Sequence, residues 1–294
     1  MLSVRAPATS ANLGSGFDVF GVALERPADV VRVARAGETT ITVTGAGSHF
    51  IPEDPADNVV GAVAEALGVT ARIEIDKGVR PSSGLGSSAA SAAGAALALS
   101  ELYDLGNSRE ELVAAAAQGE ALVSGAPHAD NVAPALLGGF TIATDDGVTQ
   151  VATDVPLVAV LPDGAVSTRD ARDVVPDGAR IDEVVETVGN AARLVVGMCR
   201  DDPGLVGVGM DDPVVTPARA ELVEGYDRIE AAAREAGATG VTVSGAGPAV
   251  LAACYPEDRR RIAASMVDAF EAVGVDARAY PTRVGGGATV HDGG

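Results

Sequence analysis

Pro81-Ser-Ser-Gly-Leu-Gly-Ser-Ser-Ala-Ala-Ser91 lies between an alternating stretch, Ala71–Asp76, and an alanine-rich run that continues to about Tyr103. Alternation of apolar and polar residues predicts a strand, and the alanine run predicts a helix. The segment therefore joins a strand to a helix N-terminus. Gly84 and Gly86 allow backbone conformations and close approaches that side chains forbid. A helix start offers unpaired N–H groups and the positive end of a dipole, which together hold phosphate. Ser87 and Ser88 add hydroxyls, one of which can face a metal ion. Three readings compete at this point. Gly84-x-Gly86-x-x-Ala89 fits a dinucleotide fingerprint, but that motif belongs directly after the first strand of its unit, and here Arg80–Ser83 intervene and several strands precede it. A Walker A loop requires a Gly-Lys-Ser/Thr that does not follow. The third reading is a capped helix start that binds nothing.

Outward from this loop, strand signals fall at Leu2–Ala6, Asp29–Ala34 and Thr39–Thr44, the last two joined near Gly37. Asn58–Leu67 reads as a helix stopped by Gly68, and Ser108 with Glu111 forms a capping box that opens a helix to about Val123. The strand pattern returns after Gly138-Gly139. The second half holds strands at Leu157–Leu161, Thr239–Ser244, Ala249–Cys254 and finally Asp276–Pro281. Its helices are expected at Ile181–Cys199, Tyr226–Ala236 and Arg259–Val273. Strands and helices mix without strict alternation, which predicts an α+β architecture in two lobes, residues 1–155 and 156–294. The glycine-rich tail from Gly285 reads as frayed.

Of 294 residues, 47% are hydrophobic, enough for a substantial core. No apolar run is long enough for a membrane span, and the N-terminus does not read as a secretory signal. Forty-one acids stand against 21 bases, a formal net charge of −20, and Lys77 is the only lysine. Such a field repels nucleic acid and anionic membranes. The acids are spread over the whole chain, which suits molar salt, where the screening length shrinks to about 3 Å. Cys199 and Cys254, far apart, read as reduced thiols of a cytoplasmic protein.

Three further segments weigh against a loop that binds nothing. Pro7-Ala-Thr-Ser-Ala-Asn-Leu-Gly-Ser-Gly-Phe-Asp18, the loop Pro81–Ser91 and Val243-Ser-Gly-Ala-Gly-Pro248 resemble, in order and spacing, the three motifs of the GHMP kinases. The resemblance runs from residue 4 to about 255. Within that family, Gly125-Ala-Pro-His-Ala-Asp-Asn-Val-Ala-Pro-Ala-Leu-Leu-Gly-Gly139 is similar to the homoserine kinase subgroup. Pro81-Ser-Ser departs from the family, where an arginine often precedes the glycine. The resemblance implies a two-lobed fold, with the phosphate loop in the N-terminal lobe and a ferredoxin-like C-terminal lobe. It also implies ATP-dependent phosphorylation of L-homoserine to O-phospho-L-homoserine, and it suggests a homodimer without naming an interface. Rival readings are a kinase acting on shikimate, mevalonate or pantoate, a metabolite-binding homologue without catalysis, and a dinucleotide oxidoreductase.

The same resemblance implies the site. ATP would lie along Pro81, Ser82, Ser83, Gly84, Leu85, Gly86, Ser87, Ser88, Ala89, Ala90 and Ser91, with Asn58 beside it. Magnesium would be held by Ser88 and Glu120, hard oxygen ligands of the kind it prefers; as residues alone, Glu120 could equally be a solvated helix acid. Homoserine is a zwitterion with a terminal hydroxyl. Arg172 and Arg219 would take its carboxylate, since guanidinium pairs such groups bidentately. Asp18 would take its ammonium group, while Asn12, His128, Thr168 and Gly245 complete the substrate set. Asn131 stands where some family members carry an aspartate, and an amide cannot accept a proton at neutral pH. Either Asp130 acts as base, or no side chain does and transfer proceeds by positioning and charge stabilisation.

Overall fold

The structure, a computed structural model, describes residues 1–124 and 129–291. The first half builds one sheet from β1 (Leu2–Ala11), β2 (Phe20–Arg35), β3 (Thr40–Gly45), β4 (Ala71–Lys77), β5 (Phe140–Thr144) and β6 (Gly147–Val151). Its main path runs β1-β2-β4-β3, with β5 on β2 and β6 on β5. Only β3 and β4 pair in parallel; the other pairs are antiparallel. Over one face lie α1 (Val59–Ala66), α2 (Ser87–Tyr103), α3 (Arg109–Ser124) and α4 (Ala129–Leu137). Alternate strand residues such as Val4, Ala6, Val31, Val33, Ile73 and Ile75 meet the alanines of α2 in one buried cluster. The small side chains let α2 lie close to the strands. At Gly94 even a Cβ would come 2.7 Å from a Val31 methyl. The alanine content of α2 thus sets its depth, and its depth sets where its N-terminus emerges.

The second half carries β7 (Pro156–Pro162), α5 (Thr168–Asp173), α6 (Ile181–Arg200), α7 (Pro203–Gly209), α8 (Val215–Ala220), α9 (Tyr226–Glu235), β8 (Gly240–Val243), β9 (Val250–Ala253), α10 (Arg259–Glu271) and β10 (Ala277–Arg283). The four strands pair antiparallel in the order β10-β7-β9-β8. Counted along this half, that is 4-1-3-2, the ferredoxin-like arrangement. Period-two alternation divides β7 between two cores. Leu157, Ala159 and Leu161 join the first sheet, α6 and α7. Val158 and Val160 face α9 and α10.

Two expectations change, and one stretch that the pattern left open takes helical form. β1 and β2 are longer than the alternation suggested, because the motif Pro7–Ala11 is itself strand, with a register shift between Pro7 and Thr9. The segment around Pro134 is helix α4, with the proline inside it. The tail is not frayed through its described part: β11 (Thr289–His291) pairs antiparallel with β1 and adds an edge to the first sheet. Arg109 donates to the carbonyls of Leu136 (2.8 Å) and Ala288 (2.9 Å), and the Ala288 N–H donates to Ala135 at 2.8 Å. Asp276–Pro281 is therefore not the last strand. The chain leaves the first sheet between β6 and β7 and returns to it after Val284.

Candidate active site

The loop before α2 is held by its neighbours. The Thr9 N–H donates to the Leu85 carbonyl at 3.0 Å, and the Ala249 N–H donates to the Ser83 carbonyl at 3.1 Å. Ser244 Oγ donates to the Gly84 carbonyl at 2.7 Å. Gly84 and Gly86 have φ of 78° and 62°. A Cβ on Gly84 would come within 2.4 Å of the Ser244 carbonyl oxygen, and one on Gly86 within 1.9 Å of Thr9 Oγ1. Both glycines are thus required by conformation and by space. Gly86, at the N-cap of α2, supplies no side-chain acceptor, so the first-turn N–H groups face the loop without a side-chain cap.

This loop forms one side of a cavity of about 310 Å³. Pro81, Ser82, Ser83, Gly84, Gly86, Ser87, Ser88, Ala89 and Ser91 line it; Leu85 and Ala90 turn into the core instead. Asn58, Glu120, Asp130, Asn131, Asn12, Asp18, Thr168, Arg172, Arg219 and Gly245 line the same cavity. Residues named from both halves of the chain thus line one space. His128 lies outside the described residues. Asn58 also caps α1: its Oδ1 accepts from Val60 N–H at 3.0 Å, and its Nδ2 donates to the Pro52 carbonyl at 2.6 Å.

One part of the wall is apolar. Phe50, Ile51, Pro52, Val59 and Ile75 line it, and none of these was anticipated. Another part is ionic. Arg172 Nη1 and Nη2 reach Asp18 Oδ2 and Oδ1 at 2.5 and 3.2 Å. Asp18 sits at φ 57°, and its N–H donates to Asn12 Oδ1 at 3.0 Å. Arg219 is buried; it donates to the carbonyls of Ala171 (3.1 Å) and Gly245 (2.8 Å). Both guanidinium groups stack over Phe17, at 5.4 and 4.9 Å from the ring centre. Burial lowers the Arg219 pKa, and Asp18 works against that.

Asp130 and Asn131 open α4. Thr9 Oγ1 donates to Asn131 Oδ1 at 3.0 Å, which orients the amide. Asp130 is buried, and burial, followed by the charge of Asp18, pushes its carboxyl up to about 6. Beneath the loop lies Lys77, buried, with its pKa lowered by burial against the pull of Asp29. It donates to Asp29, to the Ser87 carbonyl (2.7 Å) and to Ser91 Oγ (2.8 Å). Asp29 Oδ1 in turn accepts from the N–H groups of Gly78 and Val79, each at 3.0 Å. The pair ties β2, β4 and the first turns of α2 together. Its sequence signal was a lone lysine in an arginine-only chain.

Ser88, exposed on the first turn of α2, and Glu120, buried on α3, are hard oxygen donors on one cavity. Among the described residues no cluster of three or more His, Cys, Asp or Glu could cage a metal. Two protein donors fit magnesium, which keeps its waters and takes phosphate oxygens for the remaining positions.

A glycine-walled loop at a helix N-terminus, two hard oxygen donors and an ionic end share one cavity, on a first sheet joined to a ferredoxin-like one, an arrangement that fits a small-molecule phosphotransferase. The family of GHMP kinase N-terminal domains matches residues 56–139, and that of GHMP kinase C-terminal domains matches residues 194–272. The homoserine kinase of Haloarcula marismortui is 72% identical over 99% of this chain and 100% of its own. That of Halorubrum lacusprofundi is 68% identical over 99% of each. The crystal structure of homoserine kinase from Cytophaga hutchinsonii superposes with a TM-score of 0.89 at 34% identity, covering 99% of this chain and 97% of that one. The chain belongs to the GHMP kinase family and, within it, to the homoserine kinases. Among the described residues no helix is long and apolar enough to cross a membrane.

Proposed function

We propose that the protein transfers the γ-phosphate of ATP to the side-chain hydroxyl of L-homoserine, a step of threonine biosynthesis, in a cytoplasm of high salt. The observation that carries the substrate is the Asp18–Arg172 pair beside Arg219. An α-amino acid presents an ammonium and a carboxylate side by side. Asp18 and Arg172 present the opposite charges side by side, and Arg219 adds a second cation. Shikimate, mevalonate and pantoate carry a carboxylate but no ammonium group, so they would offer Asp18 no cation beyond Arg172.

In this reading the nucleotide base occupies the apolar wall of Phe50, Ile51, Pro52, Val59 and Ile75. The triphosphate lies on the backbone N–H groups of the loop and the first turn of α2. Ser88 and Glu120 hold magnesium, which when bound neutralises charge on the phosphates. Asn131, fixed by Thr9, presents its amide toward the acceptor hydroxyl. Catalysis then rests on positioning and on stabilising charge, and the hydroxyl proton leaves late.

Arg172 is half-exposed, so its replacement tests recognition with little effect on the fold. Arg172→Met should raise KM for homoserine by about 10- to 100-fold, the worth of about 1.5–3 kcal/mol for a charged hydrogen bond, and leave KM for ATP unchanged. An unchanged KM for homoserine would refute the clamp.

A further inference from the structure

Phe17 stands on the loop between β1 and β2 and is partly buried. Among the described residues it belongs to none of the three buried clusters and packs against none of them. Nor does it line the cavity. A large aromatic ring outside both core and cavity needs another role. What stands over this ring is charge: the guanidinium carbons of Arg172 and Arg219, at 5.4 and 4.9 Å. Among the described residues no other ring carries two cations.

The loop that presents the ring is held from several sides. The Gly16 N–H donates to the Asn12 carbonyl at 3.0 Å, and the Phe20 N–H donates to the Gly16 carbonyl at 2.8 Å. Ser15 Oγ donates to the Gly209 carbonyl at 2.6 Å, which ties the loop to the end of α7. The two arginines come from elsewhere, Arg172 from α5 and Arg219 from α8. Burial lowers the Arg219 pKa, Asp18 opposes that, and the like charge of Arg172 adds to the lowering. A ring face is the negative end of its quadrupole, so one ring attracts both cations while they repel each other. Hydrogen bonds fix the two unequally. Arg219 ends on the carbonyls of Ala171 and Gly245. Among the described residues, the hydrogen bonds of the Arg172 guanidinium all go to Asp18, the group that an acceptor's ammonium would claim. Once Asp18 is claimed, the ring contact is the anchor that Arg172 keeps as its fork turns to the carboxylate.

We propose that Phe17 is a positioning residue for the acceptor: its ring holds Arg172 and Arg219 together so that both guanidinium groups meet one carboxylate. This rests on the amino-acid acceptor assigned above. Phe17 touches no reacting atom, so it acts on acceptor affinity and not on the transfer step.

Steady-state kinetics of the full chain in molar KCl with MgATP tests this. Phe17→Leu keeps apolar bulk and removes the ring. It should raise KM for homoserine about 5- to 30-fold, the worth of two ring contacts, and leave kcat and KM for ATP within about twofold. Phe17→Tyr keeps the ring and should stay within about threefold of wild type. In an Arg172→Met background only the Arg219 contact is left to lose, so Phe17→Leu should cost about 2- to 5-fold. The denaturant midpoint of Phe17→Leu should match wild type, since the ring lies outside the cores. An unchanged KM for homoserine in Phe17→Leu would overturn the proposal. So would an equal fold-change in both backgrounds, or a large fall in the denaturant midpoint, either of which would make the ring a space-filler. A wild type that turns over another carboxylate acceptor and no homoserine would overturn the acceptor reading instead, and the same variants would then be judged by KM for that acceptor.

Discussion

Replacing Asp130 with asparagine should stabilise the free protein at alkaline pH and spare most of its turnover. The Asp130 carboxyl rises from 3.8 to about 6 on folding, chiefly because it is buried and then because Asp18 lies near. At about 1.4 kcal/mol per pKa unit, that rise corresponds to about 3 kcal/mol between the neutral and ionised forms. A carboxyl raised in the folded state contributes stability that is complete below pH 3.8 and is lost as pH climbs through about 6. Wild type at pH 8 therefore bears the full cost of a buried anion, and Asp130→Asn does not. Chemical denaturation in molar KCl should show no difference near pH 4 and a variant more stable by about 3 kcal/mol at pH 8. An equal or less stable variant at pH 8 would refute the burial argument. Turnover separates the two mechanisms. If positioning and charge stabilisation carry the reaction, kcat should fall less than about tenfold. A loss of several orders of magnitude with KM intact would make Asp130 the general base and contradict the mechanism.

Glu120→Gln should lower turnover by on the order of 10²- to 10³-fold, as expected for a preorganised electrostatic group, and steepen the dependence on magnesium, read in steady-state kinetics. Unaltered magnesium dependence would remove Glu120 from the metal site. Lys77→Met leaves Asp29 buried without its partner and should destabilise the fold by about 3–5 kcal/mol, whereas Lys77→Met with Asp29→Leu should recover most of it; denaturant midpoints decide.

Local pattern made the central loop legible. Alternation followed by alanine marked a strand entering a helix, and the two glycines at 84 and 86 sit where positive φ and close neighbours demand them. Elements fixed by their own sequence were found with ends within a few residues, such as Val59–Ala66 behind the Asn58 cap and Arg109–Ser124 behind the Ser108 box. Contacts between distant segments were not legible. Asp29 and Lys77 lie 48 residues apart, and nothing near either predicts that they meet beneath the loop. Asp18 and Arg172 were each expected in the site, but their mutual pairing across 154 residues appears only in the fold. The apolar wall of Phe50, Ile51, Pro52, Val59 and Ile75 comes from a turn, a helix and a strand, so no periodicity announces it. The edge strand Thr289–His291 was hidden because three residues among glycines carry little pattern of their own.

Acceptor specificity is read from ADP release by the purified protein in molar KCl with MgATP, offered L-homoserine, shikimate, mevalonate and pantoate separately. Strong turnover is expected with homoserine alone, since only homoserine places an ammonium on Asp18 and a carboxylate on Arg172. Equal or better turnover with an acceptor that lacks the ammonium group would contradict it.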